Sequence, residues 1–461
     1  MNDQANTPPL PVPHVVKGES VHGVEQNYGR FATPKLDLDA MVWPRSQQAP
    51  ARDVPVAEII DILVALGERL TRDPDGSLAE ALERSIKTNP LPRDVLERSY
   101  ASLGRVFDRK LMEFQVEQEL GGADVIDGWR EVQTTSGRIA RIRAFPTRLV
   151  HIIAGNAPGV AAQSVVRGAL TKCVNLFKLP SNDLYSATTI LRALSEVAKG
   201  HPIARSFSAA YWRGGDAGVE GRLFRPQFFD KIVAWGGEST IRGALKYVGP
   251  GFELVAFDPK TSISMIGREV FESEETLEDA TTRAAFDSTL MNQQACVSSR
   301  FQFIEGSIEQ VDRYCAKLQK KLGEERPTSS ATPIPLPGPI RDELDGLHAF
   351  EDEYRVFGGY EGRGLVVRSE APVDFYPDNK IVNVVRVKDL RDAVKHVSVA
   401  TQTVGVYPAK RRIELRDALC SAGTQRVVAL GLAQPETGLP HDGFYPLHRF
   451  VRWVTDEGER E

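Results

Sequence analysis

An α/β fold built on a mostly parallel sheet is what this 461-residue chain predicts. Two observations predict it. Short apolar or β-branched runs, Leu149–Ala154, Cys173–Lys178, Ala209–Trp212 and Lys231–Trp235, alternate with helical stretches such as VAAQSVVRGALTK and ATTILRALSEVAKG. That rhythm is a βαβ series. A second α/β region runs from about residue 252 to 403, with ETLEDATTRAAFDSTLM and SIEQVDRYCAKLQKKLG as its clearest helices. By length alone the chain suits two or three domains.

In chain order, the first fifty residues are rich in Pro, Asp and Gln and predict an irregular arm. Helical spacing of apolar residues begins at VAEIIDILVALGERL, Val56 to Leu70, and continues in AEALERSIK and YASLGRVFDRKLMEFQVEQEL. After Gly121-Gly122 the pattern alternates through WREVQTTSGRIARIRAFPTR, which predicts a hairpin leading into the first buried strand. TSSATPIPLPGP, Thr328 to Pro339, is a Pro-rich surface loop. RVVALG and FYPLHRFVRWV supply strand-like and amphipathic material near the C-terminus.

Composition narrows the function. The chain is 41% hydrophobic and 26% charged with a formal net charge of -5, so no global basic footprint for nucleic acid exists. No apolar run approaches the roughly 18 residues that would span a bilayer, and MNDQANTPPLPVPHVV lacks the layout of a secretory signal. Four scattered cysteines, Cys173, Cys296, Cys315 and Cys420, form no CxxC pair; they argue against a zinc site or a disulfide scaffold. The expectation is a cytoplasmic protein with reduced thiols and no metal.

Several stretches carry chemistry. There is no Walker A motif, and GGDAGVEG and GGYEGRG do not follow GxGxxG at a strand-to-helix junction, so both predict flexible loops. In VAWGGESTIRGALKYV a strand ends at Trp235, Gly236 and Gly237 follow, and Glu238-Ser239-Thr240 opens a helix. Free N–H groups there can face a pyrophosphate, or the segment is simply a capped βα turn. HIIAGNAPGV places Asn156 in a Gly/Pro turn at a strand end, where its amide could donate to an oxyanion or merely tolerate an unusual φ. His441-Asp442-Gly443 reads as a turn rather than part of a metal site. Cys296, in MNQQACVSSRFQFIEG, precedes a strand. A lone cysteine in that position is most often a small buried hydrophobe, but the amides of Asn292, Gln293 and Gln294 and the loop N–H groups could stabilise a reactive thiolate.

The ordered set HIIAGNAPGV, NLFKLPSND, VAWGGEST, NQQACVSS, DNKIVNVV, TQTVGVYP and PHDGFYPLHRFVRW resembles the LuxC-type acyl-CoA reductases, the fatty-acid reductases of bacterial bioluminescence, within the aldehyde dehydrogenase superfamily. The likeness covers nearly everything from about residue 130 onward and extends to TPKLDLDAMVWPR. It implies an aldehyde-dehydrogenase-like fold: a Rossmann-type nucleotide-binding domain (51–128 and 144–256), an α/β catalytic domain (257–426) and a small β oligomerisation element (129–143 and 427–461) behind the arm of 1–50. It implies Cys296 as the nucleophile that attacks an acyl thioester, and Asn156 with the Cys296 backbone N–H as the oxyanion donors. It places Lys178 on the adenosine ribose and Trp235, Gly236 and Gly237 against the cofactor.

The implied reaction is reduction of an acyl-CoA to an aldehyde, with CoA as leaving group. An acyl-activating ligase or a carrier protein is the implied upstream partner, and a homodimer or homotetramer the implied assembly. Two departures from the superfamily pattern sharpen the expectation. Where hydrolytic relatives carry a Glu that activates water, KTSISMIGRE places Ser262 or Ser264, which removes the base needed to release a free acid; Glu253 and Glu269 remain as alternative bases, and with them the alternative of an aldehyde dehydrogenase running to the acid. Three residues after Lys178, where NAD-preferring relatives carry an acidic group on the ribose hydroxyls, stands Ser181, which leaves room for a 2′-phosphate and favours NADPH over NADH.

Overall fold

The computed structural model describes residues 8–350 and 352–458. They fall into two compact units: one comprises the chain up to Pro90, Ser99–Asp258 and the segment from Thr437, the other Leu91–Arg98 and Pro259–Glu436.

The first unit holds β1 (Leu10–Pro11), β2 (His14–Val16), β3 (Glu19–Val21), β4 (Gln26–Asn27), β5 (Phe31–Thr33), β6 (Arg130–Gln133), β7 (Ile139–Phe145), β8 (Arg148–Ile152), β9 (Val174–Lys178), β10 (Phe207–Ala210), β11 (Lys231–Trp235) and β12 (Glu253–Phe257). Its main sheet has the order β12-β11-β8-β9-β10-β2-β3, parallel from β12 to β10. Every residue of β10 and β11 is buried, as expected of strands covered on both faces by crossover helices, which favour largely apolar runs. The chain runs from β8 outward to β9 and β10, then crosses back to β11 and β12 on the other side. The order therefore reverses between β8 and β11, and the crevice outside the carboxyl ends of such strands is where open α/β sheets bind ligands.

The helix Val56–Arg72 buries Val56, Ile59, Ile60, Leu63, Leu66 and Leu70, the one-sided stripe that its sequence spacing predicts. Gly67 lets the segment at Gly104 approach, since a Cβ there would lie 2.7 Å from the Gly104 carbonyl oxygen.

The second unit holds β13 (Thr261–Ile266), β14 (Ser299–Glu305), β15 (Arg355–Phe357), β16 (Leu365–Ser369), β17 (Ile381–Val387), β18 (Thr401–Tyr407) and β19 (Arg426–Ala429), in the order β15-β16-β17-β14-β13-β18-β19. Only β15 runs antiparallel to its neighbour. Helices Glu274–Ser288 and Ile308–Leu322 each open on a serine capping box, Ser273 and Ser307. They bury Leu277, Ala284, Val311, Tyr314 and Leu318 in one core with Ile304, Val382 and Val384 of the sheet.

Two expectations need correction. The arm expected over residues 1–50 is not irregular where it is described: β2 and β3 add an antiparallel hairpin to the edge of the main sheet, and β1, β5 and β4 form a small sheet of their own. These strands are two or three residues long, too short to show periodicity. Residues 1–7 lie outside the described chain. RVVALG does not join the C-terminal sheet element: β19 pairs with β18 in the second unit, because the helix Ala409–Ala422 makes an ordinary parallel crossover between them. The C-terminal strand β20 (Arg452–Glu457) alone joins the hairpin of β6 and β7, in the order β20-β7-β6.

Candidate active site

In the first unit, the carboxyl ends of β8, β9 and β11 bring three expected positions to one edge of the sheet. Asn156 lies half-buried in the turn between β8 and the helix Gly159–Leu170. That turn is held firmly: the Asn89 amide donates to the Gly155 carbonyl at 2.9 Å. The side chain of Asn182, from the loop after β9, sits where a Cβ on residue 155 would be, 1.7 Å from its oxygen. A side chain at 155 would have to displace Asn182. Lys178 ends β9, with its ammonium 5.8 Å from the Tyr211 ring centroid and 3.8 Å from the point where a Cβ on Gly214 would stand. Burial lowers its pKa, and Glu220 opposes the shift.

Ser181 is exposed. The nearby Asp183 carboxylate is turned inward, accepting from the Ser186 N–H and hydroxyl, so it presents no charge to the surface of that loop.

After β11 the three expected cofactor positions divide. The Trp235 ring belongs to the core: it stacks on Phe257 at 3.6 Å with 4° between planes, and meets His441 edge-on and the Arg167 guanidinium at 5.5 Å. Its indole is packed into the core of the first unit, at the strand end where a cofactor contact is expected. Gly236 and Gly237 form the turn into the helix Glu238–Leu245, and a Cβ on Gly237 would meet nothing within 4 Å. The residues present fit a dinucleotide. A bare glycine turn opens a helix next to the strand-order reversal, with a lysine at the end of β9, two strands along the same edge, and a small, uncharged residue three positions after it.

The second unit carries the thiol. Cys296 is exposed, whereas Cys173 and Cys315 are buried, so the reading of residue 296 as a small buried hydrophobe is overturned. The loop before it is strained: Met291, Asn292 and Gln293 have φ of 48°, 53° and 72°. For non-glycine residues the left-handed region costs about 1–2 kcal/mol each, and it persists only where surroundings over-determine it.

They do so here. The Asn292 N–H donates to the Thr328 carbonyl at 2.8 Å and its side-chain oxygen accepts from the Ser330 N–H at 3.3 Å. The Gln293 amide donates to the Ile381 carbonyl at 2.8 Å, and the Gln294 amide to Asp378 at 3.3 Å. These three residues pin the loop that displays the thiol. The Pro-rich segment supplies two of the anchors. Its role was invisible in the sequence because loops announce their flexibility there but not their partners.

Ser262 touches the same turn. Almost fully buried, it donates to the Cys296 carbonyl at 2.8 Å and accepts from the Thr403 N–H at 3.2 Å. Ser264, next on that face of β13, shares a 2.8 Å hydrogen bond with Ser299. Neither hydroxyl is a base at neutral pH, and Ser262 spends both donor and acceptor on backbone. Glu269 is not a substitute. It accepts from Arg411 at 2.8 Å beyond the far end of β13, and Ile266 alone is already about 13 Å from Ser262 at roughly 3.3 Å rise per residue. Glu253 lies on β12 of the first unit and pairs with Lys231 at 3.2 Å. Within the second unit, neither Ser262, Ser264 nor Glu269 brings a carboxylate to the cysteine turn.

Two parallel-sheet units, one with a strand-order reversal and a glycine turn and the other with an exposed cysteine on a strained loop, are consistent with an aldehyde-dehydrogenase-like fold. Solved structures agree on that fold: lactaldehyde dehydrogenase from Escherichia coli superposes with a TM-score of 0.71 at 13% identity, over 97% of this chain and 99% of that one. An NAD-dependent benzaldehyde dehydrogenase from Corynebacterium glutamicum gives 0.70 at 14% identity, over 97% and 98%. Within that class, residues 51–453 match the acyl-CoA reductase (LuxC) family, and the chain belongs to it. Similar relatives are the long-chain acyl-protein thioester reductases of Aliivibrio fischeri, 30% identical over 353 residues (74% of this chain, 70% of that one), and of Photorhabdus laumondii, 29% identical over 354 residues (74% and 69%). Among the described residues no helix is long and apolar enough to cross a membrane.

Proposed function

We propose that this protein reduces an acyl thioester to the aldehyde through a thioacyl bond on Cys296, using NADPH in preference to NADH. The observation that carries the reading is the exposed Cys296 held at its own carbonyl by Ser262 rather than by a neighbouring carboxylate. The Cys296 thiolate attacks the thioester carbon, the oxyanion collapses, and the donor thiol leaves as thiolate. A reduced nicotinamide, when bound, supplies the hydride for the acyl carbon. The resulting thiohemiacetal oxyanion then expels the Cys296 thiolate and releases the aldehyde. Asn156 and the Cys296 N–H are the proposed donors to the oxyanion in both carbonyl steps. Lys178, Ser181 and the Gly236-Gly237 turn are the proposed cofactor contacts.

The absence of a base at Ser262 supports reduction over hydrolysis, since water left unactivated cannot compete for the acyl group. The bare hydroxyl at Ser181 and the inward turn of Asp183 support a 2′-phosphate.

For the donor, an acyl-CoA is the first reading. A second is an acyl group carried on a protein, which the names of the relatives favour. NADPH oxidation at 340 nm with short, long and aromatic acyl-CoAs, and with the same acyl groups on carrier protein, tests both. Aldehyde and free thiol should appear with at least one donor, and Cys296→Ser should abolish turnover while NADPH still binds. Oxidation of aldehyde to acid without CoA, or retained turnover in Cys296→Ser, would overturn the proposal.

A further inference from the structure

The guanidinium of Arg300 is nearly fully buried, four residues beyond Cys296 on β14. Its fork joins two loops. One arm donates to the Gln293 carbonyl, in the strained turn that leads to the thiol. The other donates to the Pro377 carbonyl at 2.6 Å and to the Asp378 carboxylate at 3.1 Å. Asp378 in turn accepts from the Gln294 amide, so both loops close on one cation. The second loop is strained as well, with Asn379 and Lys380 at φ of 57° and 61°.

Above the guanidinium lies the Tyr376 ring, its centroid 4.4 Å away. Tyr376 is 52% exposed. Burial is the largest influence on its phenol, raising the pKa; Arg300 and a bond from Thr261 oppose that, while Asp378 and the Cys296 sulfur add to it.

We propose that Arg300 is the positioning residue of the nucleophile. It clamps the strained turn before Cys296 to the 376–378 loop, whose Tyr376 ring packs over its face. A planar cation with five fixed donors can serve two carbonyls, a carboxylate and a ring face at once; a lysine ammonium has neither the fork nor the flat face. The clamp leaves binding groups on the other unit untouched, so its loss should slow acyl transfer to Cys296 rather than weaken cofactor binding. The inference rests on Cys296 being the acyl acceptor.

Rapid-quench acylation by octanoyl-CoA, in a single turnover without NADPH, tests it on the full chain. Arg300→Met should slow acylation at least tenfold, with the half-saturating octanoyl-CoA concentration and the NADPH Kd within twofold of wild type, and Arg300→Lys should not restore the rate. Tyr376→Phe keeps the ring and should acylate at the wild-type rate, whereas Tyr376→Ala should be several-fold slower. The double variant Arg300→Met/Tyr376→Ala should be no slower than Arg300→Met alone, because the two act through one contact. Wild-type acylation in Arg300→Met, or independent multiplying effects in the double variant, would overturn the inference. Should Arg300→Met fail to fold, an unchanged rate in Tyr376→Ala, altered only at an exposed ring, would overturn it equally. Failure of wild-type Cys296 to take up any acyl group would instead count against the function proposed above.

Discussion

Gly155→Ala is the sharpest available probe of the turn that carries Asn156. The added methyl would stand 1.7 Å from the Asn182 side-chain oxygen and 2.5 Å from its Cγ, against an ordinary contact of about 3.5–4.0 Å between heavy atoms. Something must therefore move by nearly 2 Å. Either Asn182 swings out, or the 155–156 backbone shifts against the bond from Asn89. Overpacking of this kind costs about 1–3 kcal/mol, and a shift of about 1 Å in a group that positions the reacting atoms can cost about 10²-fold in rate.

The expected outcome is a melting temperature lower by several degrees and a fall of about 10- to 100-fold in kcat/KM for thioester reduction. Adding Asn182→Ala removes the obstructing atoms and should recover most of both losses. The assays are thermal denaturation and the 340 nm rate for the two single variants and the double. Wild-type stability and activity in Gly155→Ala, or a double variant no better than Gly155→Ala, would refute the claim that close packing of Asn182 fixes this turn.

Asn156→Ala should cost about 2.7–4 kcal/mol of transition-state stabilisation, the usual loss for one oxyanion donor, read as a fall in kcat with NADPH affinity unchanged. Ser181→Glu places a carboxylate at the position proposed for the 2′-phosphate, and should raise the NADPH Kd about tenfold or more while sparing NADH; equal effects on both would remove Ser181 from the specificity argument. Burial raises the Asp287 carboxyl from 3.8 to about 6, against the bonds it accepts from the Gly431 and Ala433 N–H groups. Because the folded pKa lies above the unfolded one, this group's contribution is complete below about pH 4 and is lost as pH rises through about 6, a swing on the order of 3 kcal/mol. The stability advantage of wild type over Asp287→Asn should therefore be larger at pH 4.5 than at pH 7.5, and equal melting-temperature differences at the two values would disprove it. Val132 and Trp453 are exposed on one face of the β20-β7-β6 sheet, proposed here as the oligomerisation element; Trp453→Glu should lower the mass measured by light scattering toward the monomer, and an unchanged mass would remove this face from the assembly.

The parallel strands were legible because burial on both faces leaves continuous apolar runs: Lys231–Trp235 was bounded correctly, and β8 and β9 to within one or two residues. The N-terminal strands were not, since segments as short as Leu10–Pro11 or Gln26–Asn27 are made strands by their neighbours rather than by their own pattern. Cys296 could be singled out, but not the conformation that displays it: Met291, Asn292 and Gln293 are not residues that advertise a positive φ as glycine does. The role of Arg300 is hidden in the sequence for a similar reason. An arginine in an alternating strand reads as a solvent-facing residue, and only the fold shows two carbonyls, a carboxylate and a ring converging on it.

The chain leaves the first unit at Asp258 and re-enters it at Thr437, which has a consequence for vectorial synthesis on the ribosome. The helix Pro446–Phe450 and β20 belong to the first unit, and the Phe450 ring packs against Leu149 and Val233 of strands made some 200–300 residues earlier. Until translation has passed the roughly 180 residues between, about 10–35 s at 5–20 residues per second, the nascent sheet must wait with one flank of its core uncovered. The inserted unit contains every strand of its own sheet and can close first. The nascent chain is thus exposed to aggregation through the unit that begins earliest and finishes last, and a chaperone that shields apolar surface would act on the first unit rather than on the one that bears the thiol.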